Sequence, residues 1–474
     1  MADTKRSEVQ SLIESAAARL PYSPLEQQSR LLAALAYYAC AREPAEVFIL
    51  NGYAGTGKTS LVAAMINALA VAGKHTVMLA PTGRAAKVAA AFSGRKTSTI
   101  HRRIFRPLSS SPDAGYFLTP NLQNDTIFII DEASLVSDSQ SEKNSLLSML
   151  LRHIYSAPGC GLILIGDTAQ LPPIGQSDSP AMNPDRLRQL GFSPVVFNLD
   201  TPVRQAAESG VLYNATRVRR MISLATSLPA DSKLPSFYLD VSRFPDVEAI
   251  SSADLADMLS SSWSSGGQEE TLLLTRSNYR ANDYNRAVRN LVMMADEPLQ
   301  RGDRIIISKN DYYWSKVNKL KTFLANGDTA VVEWVGRNEK MYGRYFCDVE
   351  LFLPADNVRI GCKIMLKSLV AEGPSLSRDD LNRFYTHVLA DQEGELSEKI
   401  KAAADDPYYN AIQAKYAYCV TCHKAQGGQW RHVYIDMAGI APEAMNVDFY
   451  RWLYTAITRS REKVFFINPT IEVR

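Results

Sequence analysis

The chain has 474 residues, room for about three domains at roughly 150 residues each. Its 46% apolar and 22% charged residues belong to an ordinary folded protein, and exclude a disordered chain, a collagen or a small disulfide scaffold. Lys plus Arg total 52 against 50 Asp plus Glu, for a net charge of +2, so any basic surface that meets a polyanion must be local.

The first ten residues are polar and carry Asp3 and Glu8, so no secretory leader is expected. No apolar run approaches the length of a membrane span. The alanine-rich run Leu31 to Ala41 reads as a buried helix. Six scattered Cys show no framework spacing, as in a reduced chain, and a cytoplasmic location is expected, nucleoid-associated if the source is bacterial.

Four unalternating apolar runs follow in the first half: Val47–Leu50, Thr76–Ala80, Ile127–Ile130 and Leu162–Ile165. Such runs fit parallel strands covered on both faces, and the Ala/Leu-rich stretch Thr59–Val71 between the first two is the crossover helix. The segment Pro107–Asn124 contains Ser109-Ser110-Ser111-Pro112-Asp113-Ala114-Gly115, a strong turn signal, and is either a hairpin excursion or a surface loop. Thr271–Thr275, Val433–Ile435 and Val464–Ile467 predict a second α/β domain. Inserted in it, Arg304–Ser308, Thr329–Val335, Tyr345–Phe352 and Val358–Leu366 predict an antiparallel β module, with a turn at Asn326-Gly327-Asp328. Residues 371–410 are polar and helical in pattern.

Gly52-Tyr53-Ala54-Gly55-Thr56-Gly57-Lys58-Thr59 fits G-x-x-x-x-G-K-[ST] between a strand and a helix. Gly52, Gly55 and Gly57 let the backbone, Thr56 included, close around phosphate oxygens at a helix N-terminus. Lys58 is expected to reach the β and γ phosphates, and Thr59 to ligate Mg²⁺. Asp131-Glu132 ends a buried strand at the crevice where open α/β sheets bind ligands. Asp131 is expected to hold Mg²⁺ and Glu132 to polarise the attacking water. Gln170, after the fourth strand, is placed to sense a γ-phosphate. Arg204 and Arg459 supply cations from farther along the chain.

These motifs, in this order, resemble a superfamily 1 helicase of the RecD-like and Dda-like branch, superfamily 1B. The matching residues are Gly52–Thr59 (motif I), Ala80–Ala86 (Ia), Thr99–His101 (Ib), Asp131–Ser134 (II) and Gly166–Pro173 (III). Val203–Gln205 (IV), Thr421–Gly427 (V) and Tyr454–Arg461 (VI) complete the set. The resemblance implies two RecA-like motor domains, at 1–197 and at 198–302 plus 411–474. It implies an inserted SH3-like β subdomain at 303–410 and a strand-separating pin within 103–125. It further implies use of MgATP, 5′ to 3′ movement on single-stranded DNA, unwinding at duplex junctions and a monomeric state. Pro24–Gln28 resembles the adenine-reading Q motif, with Gln28 as the base contact, Gln27 being adjacent and Leu25 standing where the family has Ser or Thr. Gly428 in motif V is placed near the nucleotide.

On the DNA side, residues 84–106 hold seven Lys or Arg (Arg84, Lys87, Arg95, Lys96, Arg102, Arg103 and Arg106) and no acid, a local electrostatic footprint or a solvated helix face. Pro81, Thr82, Arg84, Thr99 and His101 from the first domain, with Thr421, His423 and Lys424 from the second, are the expected strand contacts. On spacing alone the two His read as core histidines; the resemblance favours DNA. Tyr312-Tyr313-Trp314 fits base stacking and packing alike. Cys419-Val420-Thr421-Cys422-His423 fits a haem-attachment pattern, but it falls inside motif V and haem attachment requires export, so neither haem nor zinc is expected.

Overall fold

The computed structural model describes residues 2–107, 116–138, 145–201, 208–229, 234–320, 323–441 and 444–474. The strands, in chain order, are β1 (Glu46–Gly52), β2 (His75–Ala80), β3 (Thr97–Thr99), β4 (Phe105–Pro107), β5 (Tyr116–Leu118), β6 (Thr126–Ile130), β7 (Gly161–Gly166) and β8 (Ser193–Leu199). Six of them form an all-parallel sheet in the order β3-β2-β6-β7-β1-β8. One strand therefore separates the phosphate-loop strand β1 from the acidic strand β6, a RecA-like arrangement.

The unalternating runs are explained by two faces that are both buried. Phe48, Leu50, Ile127, Ile129, Ile163 and Ile165 pack on one side, against the helices Ala2–Ala17, Glu26–Ala41 and Lys58–Val71. Val47, Ile49, Phe128, Ile130, Leu162 and Leu164 pack on the other, with helix Leu146–Ile154. Each such side chain contributes about 1.5–3 kcal/mol by leaving water, so a register slip is strongly disfavoured. The polar N-terminus forms a helix rather than a tail, anchored by Leu12 and Ala16. Strand β8, with only the short run Val195–Phe197, is an edge strand whose exposed residues include Val195 and Val196. It extends to Leu199, two residues beyond the expected boundary at 197.

The rest of the chain supplies β9 (Tyr238–Leu239), β10 (Val247–Ile250), β11 (Thr271–Thr275), β12 (Arg304–Ile307), β13 (Thr329–Met341), β14 (Arg344–Leu353) and β15 (Val358–Met365). Then come β16 (Ala414–Tyr416), β17 (Cys419–Thr421), β18 (Trp430–Asp436), β19 (Ser460–Ile467) and β20 (Glu472–Val473). A second parallel sheet has the order β10-β19-β18-β11-β17. An antiparallel sheet, β15-β14-β13-β12-β16, forms the inserted module. Because β16 pairs with β12, the module reaches Tyr416 and not 410 as expected.

The module is not a separate bead. Leu273, Tyr434, Phe465 and Ile467 of the second domain share one core with Ile305, Ile307, Val332, Leu351 and Ile364 of the module. Tyr434 and Phe465 stack with ring centroids 4.3 Å apart. At its root, Arg289 forks both oxygens of buried Asp303 at 3.0 Å, and Tyr418 donates to the same carboxylate at 2.9 Å. The polar stretch 371–410 forms helices Arg378–Asp391 and Leu396–Asp405, packed through Phe384, Val388 and Ala403. No helix among the described residues is long and apolar enough to cross a membrane.

Candidate active site

The phosphate loop runs from Gly52 to the start of helix Lys58–Val71. Gly55 and Gly57 have φ of 75° and 81°, a left-handed backbone that a side chain would strain. A Cβ on Gly52 would lie 2.8 Å from Lys58 Cδ, so the lysine stem folds back over a position that only glycine leaves open. Thr56 is buried, and its hydroxyl donates to Tyr53 O at 2.8 Å, closing the loop on itself. Thr59 sits in the first helical turn.

Gln28 behaves differently from the expected base contact. It is 1% exposed; its amide donates to Thr56 O at 3.0 Å and accepts from Leu25 N at 3.0 Å. The side chain braces the loop from behind. The adjacent Gln27 donates to Asn198 O and Asp200 Oδ1 and accepts from the amides of Asp200 and Thr201. Both amides are thus engaged within the protein.

Asp131 and Glu132 stand at the end of β6. Burial, reinforced by Glu132 and opposed by Lys58, pushes the Asp131 carboxyl up to about 6. A divalent cation bound there would favour the ionised carboxylate. Its Oδ1 accepts from Glu132 N at 2.9 Å, and Glu132 has φ 51°. A non-glycine residue held there stores strain of the order of 1 kcal/mol, a pattern that clusters at functional sites. Across the crevice Gln170 is 4% exposed, and its Oε1 has no hydrogen-bond partner among the described residues. That amide oxygen is an unpaired acceptor, which suits a hydrogen-bond donor such as a bound water.

Asp167, passed over in favour of Gln170, is a further site residue. It is fully buried, its Oδ1 accepts from Ala169 N at 3.0 Å, and it lies near Lys58 and Glu132, with burial pushing its carboxyl up. It lies within motif III at the end of β7, matching Asp131 at the end of β6.

Arg204 lies outside the described residues. Arg459 is 3% exposed and directs its guanidinium to Thr455 O (3.0 Å), Gly428 O (3.2 Å) and Thr458 Oγ1 (3.2 Å). It knits the motif VI helix to the backbone just after motif V. Gly428 likewise faces protein: a Cβ there would lie 2.5 Å from Arg84 Cδ and 2.6 Å from the Trp430 ring. Arg219, on helix Gly210–Ser227, does reach the loop, with its guanidinium 4.2 Å from the Tyr53 ring centroid. No motif spacing marked it.

The expected strand contacts gather at carboxyl ends of parallel strands. Pro81 and Thr82 follow β2, Thr99 ends β3 and Thr421 ends β17. Thr82 and Thr99 cap helices Gly83–Ser93 and Ile100–Ile104, accepting from Ala85 N and Arg102 N at 3.2 Å. Each hydroxyl hydrogen stays available for a phosphate oxygen. His101 and His423 are exposed, which removes the core reading; buried His153 is a core histidine. Lys424 is half-buried, which lowers its pKa.

The basic run is largely committed to protein. Arg84 lies 4.5 Å over Trp430, Lys87 donates to Pro354 O at 3.2 Å, and Arg102 donates to Phe323 O (2.8 Å) and Asp328 (3.2 Å). Three of the seven cations therefore bind the first domain to the second and to the β module. A Cβ on Gly83 would lie 2.3 Å from Asp328, and one on Gly427 2.7 Å from Ala85 Cβ, so these joints close on glycine. Arg95 and Lys96 remain exposed.

Strands β4 and β5 pair antiparallel, which decides for the hairpin over the loop; its tip, 108–115, lies outside the described residues. The Tyr116 ring sits 5.9 Å from Tyr312, which sits 4.8 Å from Phe323, so the stem rests on the module. Tyr312 packs there, and Trp314 donates to Asn410 O at 2.9 Å, giving the aromatic run structural partners. Cys419 and Cys422 are buried.

A phosphate loop, an acidic strand end and a buried glutamine, set against a second parallel-sheet domain, define a two-domain P-loop nucleotidase. Family models match at residues 27–209, described as an AAA domain, and at 416–467, described as a UvrD-like helicase C-terminal domain. With the motif order, these matches liken the chain to the superfamily 1B helicases, neither model covering half of it.

Among relatives, the ATP-dependent RecD2 DNA helicase of Deinococcus radiodurans is 24% identical over 88% of this chain and 46% of its own length. The ATP-dependent DNA helicase dda of phage T4 is 32% identical over 28% of this chain and 29% of its own. The chain thus spans less than half of either helicase. An uncharacterized protein of Acanthamoeba polyphaga mimivirus is 20% identical over 89% of this chain and 95% of its own. A solved structure of Pif1 helicase from Bacteroides with ADP-AlF3 and ssDNA aligns over 95% of this chain and 93% of its own, with 16% identity and TM-score 0.48.

Proposed function

We propose that this protein is an ATP-dependent DNA helicase that moves 5′ to 3′ along single-stranded DNA and separates duplex at a junction. The observation that carries the reading is the bonding of the loop after β7 to the second domain. Leu171 N donates to Thr455 Oγ1 at 2.8 Å, and Gln426 donates to Leu171 O at 2.7 Å. Because this loop also carries Asp167 and Gln170, a change at the nucleotide moves the domain that bears Thr421, His423 and Lys424 relative to the one that bears Thr82, Thr99 and His101.

Lys58 and the loop amides would hold the phosphates, with Thr59 and Asp131 holding Mg²⁺ and Glu132 orienting the attacking water. When bound, Mg²⁺ supplies charge neutralisation at the transferred phosphoryl group. Gln170, Arg204 and Arg459 are proposed to complete the γ-phosphate shell, Arg459 after release from Gly428 O. The β4–β5 hairpin is the candidate strand-separating pin.

The deciding test is unwinding of partial duplexes with a 5′ or a 3′ single-stranded tail, in MgATP, with Lys58→Ala as control. Unwinding from the 5′ tail alone is expected. Unwinding from the 3′ tail alone overturns the polarity, and ATPase stimulated by DNA without unwinding overturns the helicase step.

A further inference from the structure

The tyrosine of motif VI has no role in the mechanism above, yet it touches both walls of the nucleotide crevice. Tyr454 lies on helix Val447–Ile457 of the second domain. Its hydroxyl donates to Asp167 Oδ2 at 2.7 Å and accepts from Ala54 N, in the phosphate loop, at 3.0 Å. The first distance is that of a charge-assisted O–H···O⁻ bond. Tyr454 is 1% exposed and Asp167 fully buried, so water offers neither group a substitute. Packing explains the ring, which sits in the second domain's core, but a phenylalanine would pack as well. The hydroxyl is explained only by the two partners across the domain boundary.

The neighbouring contacts point the same way. Tyr53 is covered by Arg219, and a Cβ on Gly55 would lie 3.1 Å from Leu212, both from helix Gly210–Ser227. Loop residues 53, 54 and 55 are thus each gripped by the second domain, which leaves residues 56–59 for phosphate. If the domains part, Ala54 N–H, the Tyr454 hydroxyl and Asp167 Oδ2 lose their partners together. We propose that Tyr454 is a positioning residue that, through Asp167 and Ala54, couples the state of the phosphate loop to docking of the second domain. The inference rests on the reading that this crevice hydrolyses ATP.

The test compares Tyr454→Phe, Asp167→Asn and the double variant in the full chain. ATP turnover is measured with and without oligo(dT), mant-ADP affinity by fluorescence, and Tm by thermal melting. For Tyr454→Phe, kcat is expected to fall about tenfold or more, with KM and mant-ADP affinity within about threefold and Tm within a few degrees. The double variant is expected to be no slower than the worse single one, because the pair acts as a unit. Wild-type kcat in Tyr454→Phe overturns the proposal, as does a multiplicative loss in the double variant. A parallel loss of Tm and affinity makes the hydroxyl merely structural and also overturns it. Wild-type turnover that ignores oligo(dT) sinks the helicase reading but leaves the Tyr454 comparison decisive. No turnover by the wild-type chain overturns both.

Discussion

The nucleotide crevice and the basic segment 84–106 were equally conspicuous as sequence, but they met different fates in the fold. In the crevice, Gly55 and Gly57 adopt a left-handed backbone and Lys58 opens the helix that follows. In the basic segment, Arg84, Lys87 and Arg102 turn inward to Trp430, Pro354 and Asp328. The difference lies in what each pattern specifies. A phosphate loop specifies backbone conformation over eight adjacent residues. A run of cations specifies only charge, and any carbonyl, carboxylate or ring that the fold brings near is a competing partner.

The largest effects separate the two regions most sharply. Lys58→Ala and Glu132→Gln are expected to lower ATP turnover by about a thousandfold or more while leaving Tm nearly unchanged, since they remove transition-state stabilisation and not packing. Retained turnover in a steady-state ATPase assay would remove both from the site. In the basic segment, Arg102→Ala is expected to act on stability instead. It takes the counter-charge from a side chain, Asp328, that is 8% exposed, at a cost of about 2–3 kcal/mol.

That cost has a pH signature. Burial already raises the Asp328 pKa above its ordinary value, against the pull of Arg102. Losing Arg102 raises it further. The folded state of the variant then prefers protonated Asp328, so its destabilisation shrinks as pH falls towards that raised pKa and grows as pH rises. Denaturant melts of wild type and variant across acid and neutral pH check the sign; a penalty independent of pH would break the argument.

A finer contrast is internal to the basic segment. Arg95→Ala with Lys96→Ala is expected to weaken DNA binding and to reduce the slope of log affinity against log salt by up to about two. Lys87→Ala should leave the slope unchanged, because its ammonium is spent on Pro354 O. Fluorescence-anisotropy titrations at several salt concentrations distinguish them, and a reduced slope in Lys87→Ala would return Lys87 to the DNA face. The smallest effect is expected on nucleotide choice in Gln28→Met, which keeps the bulk and removes the bond to Thr56 O. If Gln28 braces Thr56 O rather than reading adenine, ATP and GTP turnover should fall in the same proportion; loss of ATP preference would restore the base contact.

Much of this site was legible because its residues sit at strand ends, and strand ends were marked by apolar runs. Asp131 follows Ile127–Ile130, and Gln170 follows Leu162–Ile165. Strand β8 was not legible, because its run Val195–Phe197 is short and lies at a sheet edge. Arg219 was missed because a helix face carries no motif, and it meets Tyr53 only through the packing of the second domain on the first. Asp167 was passed over because its neighbour Gln170 fitted a known role, whereas the bonds of Asp167 cross 287 residues to Tyr454.

By itself, the sequence determined the two parallel-sheet cores, the inserted β module and the phosphate loop, because each rests on local periodicity or on backbone freedom at named glycines. Tertiary structure alone decided which polar groups face a ligand and which face protein. It turned Arg459 and Gln28 inward, left His101 and His423 in solvent, and set Tyr454 between Ala54 and Asp167. The physical reason is that a buried donor or acceptor must find a partner, and the identity of that partner depends on which distant segments the packing brings within about 3 Å.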